Sequence, residues 1–221
     1  MIHSIQTGPF KVNTYIVSLK GSDALIIDPA CCEFSNDENK FFSFLEENNL
    51  VPKVIFLTHG HFDHVAGLNI IRQRFSDVKI LIHSNDAHFL GNGSEILQRL
   101  SLEPMDFLDF LPFVSNLPEP DFLVSDNTAL SSYMPNVPLL ENWKVMHTPG
   151  HTKGSCCLYN QNEKLLISGD TVFHRSYGRT DLFSGSDADM KNSLNRIYTE
   201  IPGCTKVFPG HDYYGFSLGE N

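Results

Sequence analysis

Thr58-His59-Gly60-His61-Phe62-Asp63-His64 places three imidazoles and one carboxylate within seven residues. Upstream, Lys53-Val54-Ile55-Phe56-Leu57 is apolar and rich in β-branched residues, and it reads as a buried strand. Downstream, residues 65–75 carry apolar side chains at helical spacing. The cluster therefore belongs on a strand-to-helix turn, where side chains project from the end of a sheet. His59 and His61, two apart, can converge on one ion. Asp63 and His64 open the helix and can turn toward a second. Imidazole with an added carboxylate suits zinc or iron. A polar loop merely rich in histidine would not set four potential ligands at this spacing directly behind a buried strand.

The whole chain bounds what such a site can serve. At 221 residues it can bury a substantial core, and 41% apolar residues is ordinary for a soluble globular protein. No apolar run is long enough for a bilayer, and Met1–Gln6 lacks a basic-then-apolar signal, so a cytoplasmic location with no membrane partner is expected. A formal net charge of −10 argues against a nucleic-acid partner, which requires a basic surface. Cys31, Cys32, Cys156, Cys157 and Cys204 are odd in number and form no C-x-x-C, which fits reduced thiols rather than a disulfide framework.

Residues 2–6 and 13–18 read as strands, and Gly21-Ser22-Asp23 as the turn before a third buried strand that ends on Asp28-Pro29. Asp28 is either a hydrogen-bond partner of a metal ligand or the cap of a local turn. A helix is expected over 36–49, capped by Ser35 or Asn36, with Phe41, Phe42, Phe44 and Leu45 on its apolar face. Strands are expected over 53–57 and 78–82, with the helix over 65–75 between them. Alternation of strand and helix after an antiparallel start implies a mixed sheet with helices outside. Residues 86–140 form a looser, proline-rich segment, with a short helix over 94–102. The segment is too apolar for a linker, and it serves either as a lid over a pocket or as cover for a sheet edge. The second half reads as a strand at 143–146, a hairpin at 155–168, a helix at 186–200 and a last strand at 205–208.

A repeated grammar emerges. Apolar strands end in turns bearing His59, His61, Asp63 and His64, then His151, then Asp170, then His211. Seven donors exceed the needs of one four-coordinate zinc. Two divalent ions use them all: His59, His61 and His151 for one, Asp63, His64 and His211 for the other, with Asp170 bridging. Zinc is the first expectation; iron and manganese also suit these donors. A hydroxide between the ions would attack a carbonyl compound, and a thioester suits such a site because a thiolate leaves without strong acid help. Asp63, orienting that hydroxide, and Asp170 are the expected catalytic carboxylates. Arg175, Arg179, Lys153 and Tyr177 lie near these residues in sequence and are candidates for substrate binding. His3, His83, His88 and His147 stand outside any motif and are expected to be structural or surface residues.

The motifs T-H-G-H-F-D-H, T-P-G-H-T, G-D-T and P-G-H closely resemble the metallo-β-lactamase superfamily, in particular its glyoxalase II-like branch. The resemblance runs from about residue 12 to residue 211 and implies an αββα sandwich: two mixed sheets face to face, helices on both outer sides, the site along one edge. It implies one domain over 1–221, with 86–140 as an irregular insertion, and the same seven metal ligands. Residues 169–182, G-D-T-V-F-H-R-S-Y-G-R-T-D-L, look like the small single-domain hydroxyacylglutathione hydrolases of bacteria. The implied substrate is a small-molecule thioester derived from glutathione. His211-Asp212-Tyr213-Tyr214-Gly215-Phe216 is also similar to the persulfide dioxygenases of the superfamily. Those bind one iron through residues matching His59, His151 and Asp170 and act on glutathione persulfide, which is the alternative reading. Thr171 after Asp170 matches the hydrolases.

Overall fold

The computed structural model describes residues 1–221 and follows the alternation of side chains along its strands. β1 (Ile2–Thr7), β2 (Val12–Ser18), β3 (Asp23–Ile27), β4 (Val51–Phe56), β5 (Lys79–His83) and β6 (Phe122–Val124) form one sheet in that spatial order. β1, β2 and β3 pair antiparallel, whereas β3 to β6 run parallel. β7 (Trp143–His147), β8 (Cys156–Asn160) and β9 (Leu165–Gly169) open the second sheet. The short hairpin of β10 (Val172–Phe173) and β11 (Ser176–Tyr177) stands apart. β12 (Lys206–Pro209) and β13 (Phe216–Ser217) complete the second sheet, in the order β13-β12-β9-β8-β7.

Period-two alternation sorts the core into three layers. Tyr15, Val17, Leu25, Ile27, Val54, Phe56 and Leu81 point inward from the first sheet and meet Trp143, Val145, Leu158 and Ile167 from the second. The opposite faces meet helices. Ile16, Ile26, Ile55 and Ile80 pack under α1 (Glu38–Glu47) and α3 (Leu68–Arg74), with Phe41, Leu45, Leu68 and Ile71 filling the space between. Met146, Cys157, Leu166 and Val207 pack under α6 (Asp187–Glu200) through Ile197. Strands buried on both faces read as continuous apolar runs, which is why Ala24–Ile27 and Val54–Leu57 show no polar alternation. The result is the αββα sandwich. No helix is long and apolar enough to cross a membrane.

Two expected helices differ in detail. The helix expected from residue 36 begins at Glu38, because Asn36 ends a preceding turn at φ 53°. The Asp37 carboxylate accepts the backbone N–H of Gly8 at 2.6 Å and of Cys32 at 3.0 Å, so it braces two loops. The helix expected over 65–75 is split into α2 (Phe62–Val65) and α3 by Gly67. That glycine donates its N–H to Pro29 O at 2.9 Å, and a Cβ there would come within 2.8 Å of the same oxygen. The break lets the metal-competent turn press against the end of β3.

Residues 86–140 are built into the body of the fold. α4 (Ser94–Leu102), α5 (Leu111–Val114) and the 3-10 turn before α5 pack Leu102, Phe110, Leu111 and Val114 into the outer apolar layer, and β6 extends the first sheet. The sandwich is also tied across one edge by backbone hydrogen bonds. Cys156 donates to Thr58 O at 2.8 Å and Asn13 to Gly210 O at 2.7 Å. That edge gathers the ends of β3, β4, β9 and β12.

Candidate metal centre

Asp28 follows β3 in the left-handed region, at φ 49°. Aspartate tolerates this backbone better than most residues. The turn aims its buried carboxylate at the end of β4. Oδ1 accepts the Thr58 N–H at 2.8 Å; Oδ2 accepts the Thr58 hydroxyl at 2.7 Å and pairs with His64 Nδ1 at 2.9 Å. A hydroxyl has one proton to give. With that proton committed to Asp28, Thr58 Oγ1 accepts from His59 Nδ1, 3.0 Å away. Two histidines thereby have Nδ1 engaged and Nε2 turned toward the edge.

The second sheet repeats the device with backbone carbonyls. His151 Nδ1 donates to Arg179 O at 2.7 Å, and His211 Nδ1 to Phe10 O at 3.1 Å. The free nitrogens then crowd together. His61 Nδ1 lies 2.9 Å from His151 Nε2, and His64 Nε2 lies 3.3 Å from His211 Nε2. His59 Nε2 and Asp170 Oδ1 are buried with no hydrogen-bond partner.

The donor atoms fall into two triads, His59/His61/His151 and Asp63/His64/His211, each with its atoms within 4.8 Å of one another. Asp170 lies between them: Oδ2 is 3.6 Å from His151 Nε2 and 3.5 Å from His211 Nε2, and Oδ1 is 3.5 Å from His64 Nε2. Asp28 could join His59 and His64 in a third set, but its oxygens already serve three donors. Converging lone pairs, an orphaned carboxylate oxygen and a nitrogen–oxygen donor set fit divalent cations.

Electrostatics divide the two halves. Burial, followed by the neighbouring imidazoles, holds His59 and His61 well below the ordinary histidine range. Burial also opposes charge on His64, but Asp170, Asp63 and Asp28 outweigh it and raise that residue to about 10. His211 rises to about 8 because Asp170 and Asp63 likewise outweigh its burial. Asp63 is held well below the usual carboxylate range; burial works against this, and His64 and His211 overcome it. The Asp63/His64/His211 half thus favours positive charge.

Asp86, at the turn after β5, has no motif around it in the sequence, and its part emerges only in three dimensions. It is fully buried and accepts Gly60 N–H at 2.9 Å, Thr152 Oγ1–H at 2.7 Å and Gly154 N–H at 2.7 Å. One side chain so fastens the His59–His61 turn to the His151 turn. Gly210 is required for a different reason: a Cβ there would collide with Asp170 Oδ1 and His64 Cε1.

A pocket of about 230 Å³ opens over the cluster. Its floor is His61, Asp63, His151, Asp170 and His211, and its walls are Phe10, Phe62, Met105, Leu182 and Arg179. Among the four residues expected to bind substrate, Arg179 reaches this pocket; Arg175, Lys153 and Tyr177 lie outside its lining. Arg179 is half-exposed and paired through two nitrogens with Asp181, at 2.7 and 2.8 Å. A larger open groove between β1 and α1, about 640 Å³, contains no histidine or cysteine. Cys31, Cys32, Cys156 and Cys157 are buried, and none of the five cysteines is in a disulfide. Burial pushes the Cys157 thiol up to about 11, which removes it as a nucleophile at neutral pH.

His83 and His147 stack at 4.0 Å with rings 6° from parallel. Burial, then the His147 ring, lower His83 to about 4 against the pull of Asp126. The unfolded chain therefore binds the extra proton between pH about 6.5 and about 4, and the contribution of His83 to stability falls as pH drops through that window. His83→Phe should gain stability relative to the parent on going from pH 7 to pH 5, in urea unfolding of metal-free protein. An unchanged difference between the two pH values would refute the assignment.

Two face-to-face mixed sheets bearing a histidine–aspartate cluster on one shared edge define a class of metal-binding α/β sandwich. The family model for the metallo-beta-lactamase superfamily matches residues 7–211. The chain belongs to that superfamily, whose members include metal-dependent hydrolases. A protein of Aquifex aeolicus is 34% identical, over 96% of this chain and 89% of its own length. A probable metallo-hydrolase of Bacillus subtilis is 29% identical, over 92% and 86% of the two chains. A hydroxyacylglutathione hydrolase of Pelagibacter ubique is 28% identical, over 90% of this chain and 66% of that protein. Among solved structures, the BLEG-1 B3 metallo-beta-lactamase superposes with a TM-score of 0.82 at 29% identity, covering 100% of this chain and 95% of that one. A di-iron-bound protein, TTHA1623, gives 0.75 at 25% identity, covering 99% and 96%.

Proposed function

We propose that this chain is a dinuclear metallohydrolase that cleaves a thioester, with glutathione-derived thioesters the first class to test. The observation that carries the reading is the pair of complete triads with Asp170 between them. When bound, divalent ions would lower the pKa of a water toward neutrality and polarise the substrate carbonyl. His59, His61 and His151 would hold one ion and Asp63, His64 and His211 the other, with Asp170 shared.

The chain's own groups do the positioning. Asp28, Thr58, Phe10 O and Arg179 O keep four imidazoles in one tautomer and orientation. Asp63 accepts a hydrogen bond from the attacking water. Water adds to the carbonyl carbon, the C–S bond breaks, and a carboxylate and a thiol leave, with the remaining proton released to solvent. Apart from the histidines and carboxylates that would hold the ions, the pocket lining has no lysine, tyrosine or cysteine to protonate a leaving group. That suits a thiol of pKa about 8.5 and disfavours an amide. The hydroxyacylglutathione hydrolase relative supports the thioester class. Zinc is the ion expected first, and the di-iron relative keeps iron in view.

The alternative, a mononuclear iron persulfide dioxygenase, leaves Asp63, His64 and His211 without a task, so their assembly favours the hydrolase. The test is elemental analysis of protein purified without chelator or added metal, followed by thioester turnover. About two ions per chain with thioesterase activity is the expected result. About one iron per chain, with oxygen uptake on a persulfide, would replace this reading with the dioxygenase.

A further inference from the structure

We propose that the pocket over the cluster selects an apolar acyl group, so that the preferred substrates are thioesters of unsubstituted aliphatic acids rather than of hydroxy acids. This rests on the thioester reading above. The acyl substituent is bonded to the attacked carbon, so in any productive pose it shares the pocket with His61, Asp63, Asp170 and His211. The rest of that space is bounded by Phe10, Phe62, Met105 and Leu182. At about 230 Å³ the pocket is smaller than sites that enclose a whole drug-sized ligand, roughly 300–1,000 Å³, so it takes one part of the substrate.

The walls offer little to a polar group. Arg179 is the one wall residue with a charged side chain, and Asp181 already engages its guanidinium through two hydrogen bonds. Glutathione's carboxylates lie many bonds away on the other side of sulfur. Neither Lys153 nor Arg175 reaches the pocket to meet them.

Apolar surface continues past the mouth. The Phe10 ring, 39% exposed, meets Phe107 edge-on at 5.3 Å, and Phe107 meets Phe34, 42% exposed, at 5.5 Å. Large exposed aromatics in sequence from a pocket mark a path for apolar ligand atoms. A lengthening acyl chain has this path to follow.

The experiment measures kcat/KM of the metal-replete full chain for thioesters of one thiol, N-acetylcysteamine, with acetyl, propionyl, butyryl, hexanoyl and lactoyl groups. Burial of each methylene should raise kcat/KM about threefold to fourfold, hence about tenfold from acetyl to butyryl. Propionyl should exceed lactoyl, which differs by one hydroxyl. Met105→Ser should cut the butyryl-to-acetyl ratio to about threefold or less, and Phe10→Ala should flatten the step from butyryl to hexanoyl. A flat series, or lactoyl ahead of propionyl, overturns the proposal and leaves the thioesterase standing. No turnover of any thioester by protein holding its ions overturns the thioesterase reading itself, and this proposal with it.

Discussion

On the dinuclear thioesterase reading, Asp170→Ala should lower thioester kcat/KM by about 10³-fold or more, with ion content falling from about two per chain to one or fewer. The expectation follows from position. Asp170 is the carboxylate within 3.6 Å of a nitrogen from each triad, and its Oδ1 is buried without a partner. Its loss leaves three imidazoles facing one another with less negative charge to gather a cation. Gly210 packs on the same oxygen, so the substitution creates a small void and no clash. The fold should survive, which circular dichroism would verify. Asp170→Asn is the sharper control: it keeps the shape and removes the charge, and it should lose nearly as much activity. An alanine variant with two ions and parental rates would end the shared-carboxylate mechanism.

Asp28→Ala is the second large effect, and it acts first on stability. Thr58 N–H, Thr58 Oγ1–H and His64 Nδ1 all depend on this buried carboxylate. Alanine strands them in a region closed to water, at a cost of about 3–5 kcal/mol. Alanine at φ 49° adds roughly 1 kcal/mol more. For a chain of this length each kcal/mol moves the midpoint about 2–4 °C, so Tm should fall by roughly 10 °C or more. The same change frees His64 to rotate, and ion affinity should drop about 10–100-fold. Thermal scans with and without chelator separate the two effects. Asp28→Asn should sit between parent and alanine, because an amide matches the shape but turns one acceptor into a donor. A metal-free alanine variant melting within about 2 °C of the parent would show that Asp28 merely caps a turn.

The strands and the metal-competent turns behind them could be read from the chain because each rests on local signals, whereas the order of the layers and the gathering of seven donors on one edge followed from the resemblance of the motifs to a known superfamily. Buried runs such as Val54–Leu57, and the turns behind them, carry their pattern in residue type. What escaped reading depends on groups that residue type does not encode. The acceptors that orient His151 and His211 are the backbone carbonyls of Arg179 and Phe10, which any residue would supply. The split at Gly67 comes from a long-range contact with Pro29 and not from helix propensity. Asp86 depends on two loops 66–68 residues apart or 26 residues apart, so local spacing is silent about it. Arg175 and Tyr177 are close to Asp170 in sequence, yet the β10–β11 hairpin carries both away from the pocket.

The edge that joins the two sheets has a kinetic consequence. The first sheet supplies His59, His61, Asp63 and His64, and the second His151, Asp170 and His211. Contacts that complete the cluster span 90 residues for His61–His151 and 147 for His64–His211. Closures of that length are among the slower events on a folding path, because much of the chain must be ordered before they are rewarded. An ion held by donors from both halves would bind the closed form in preference and favour it by mass action. Cation uptake during refolding should therefore report the arrival of the finished sandwich.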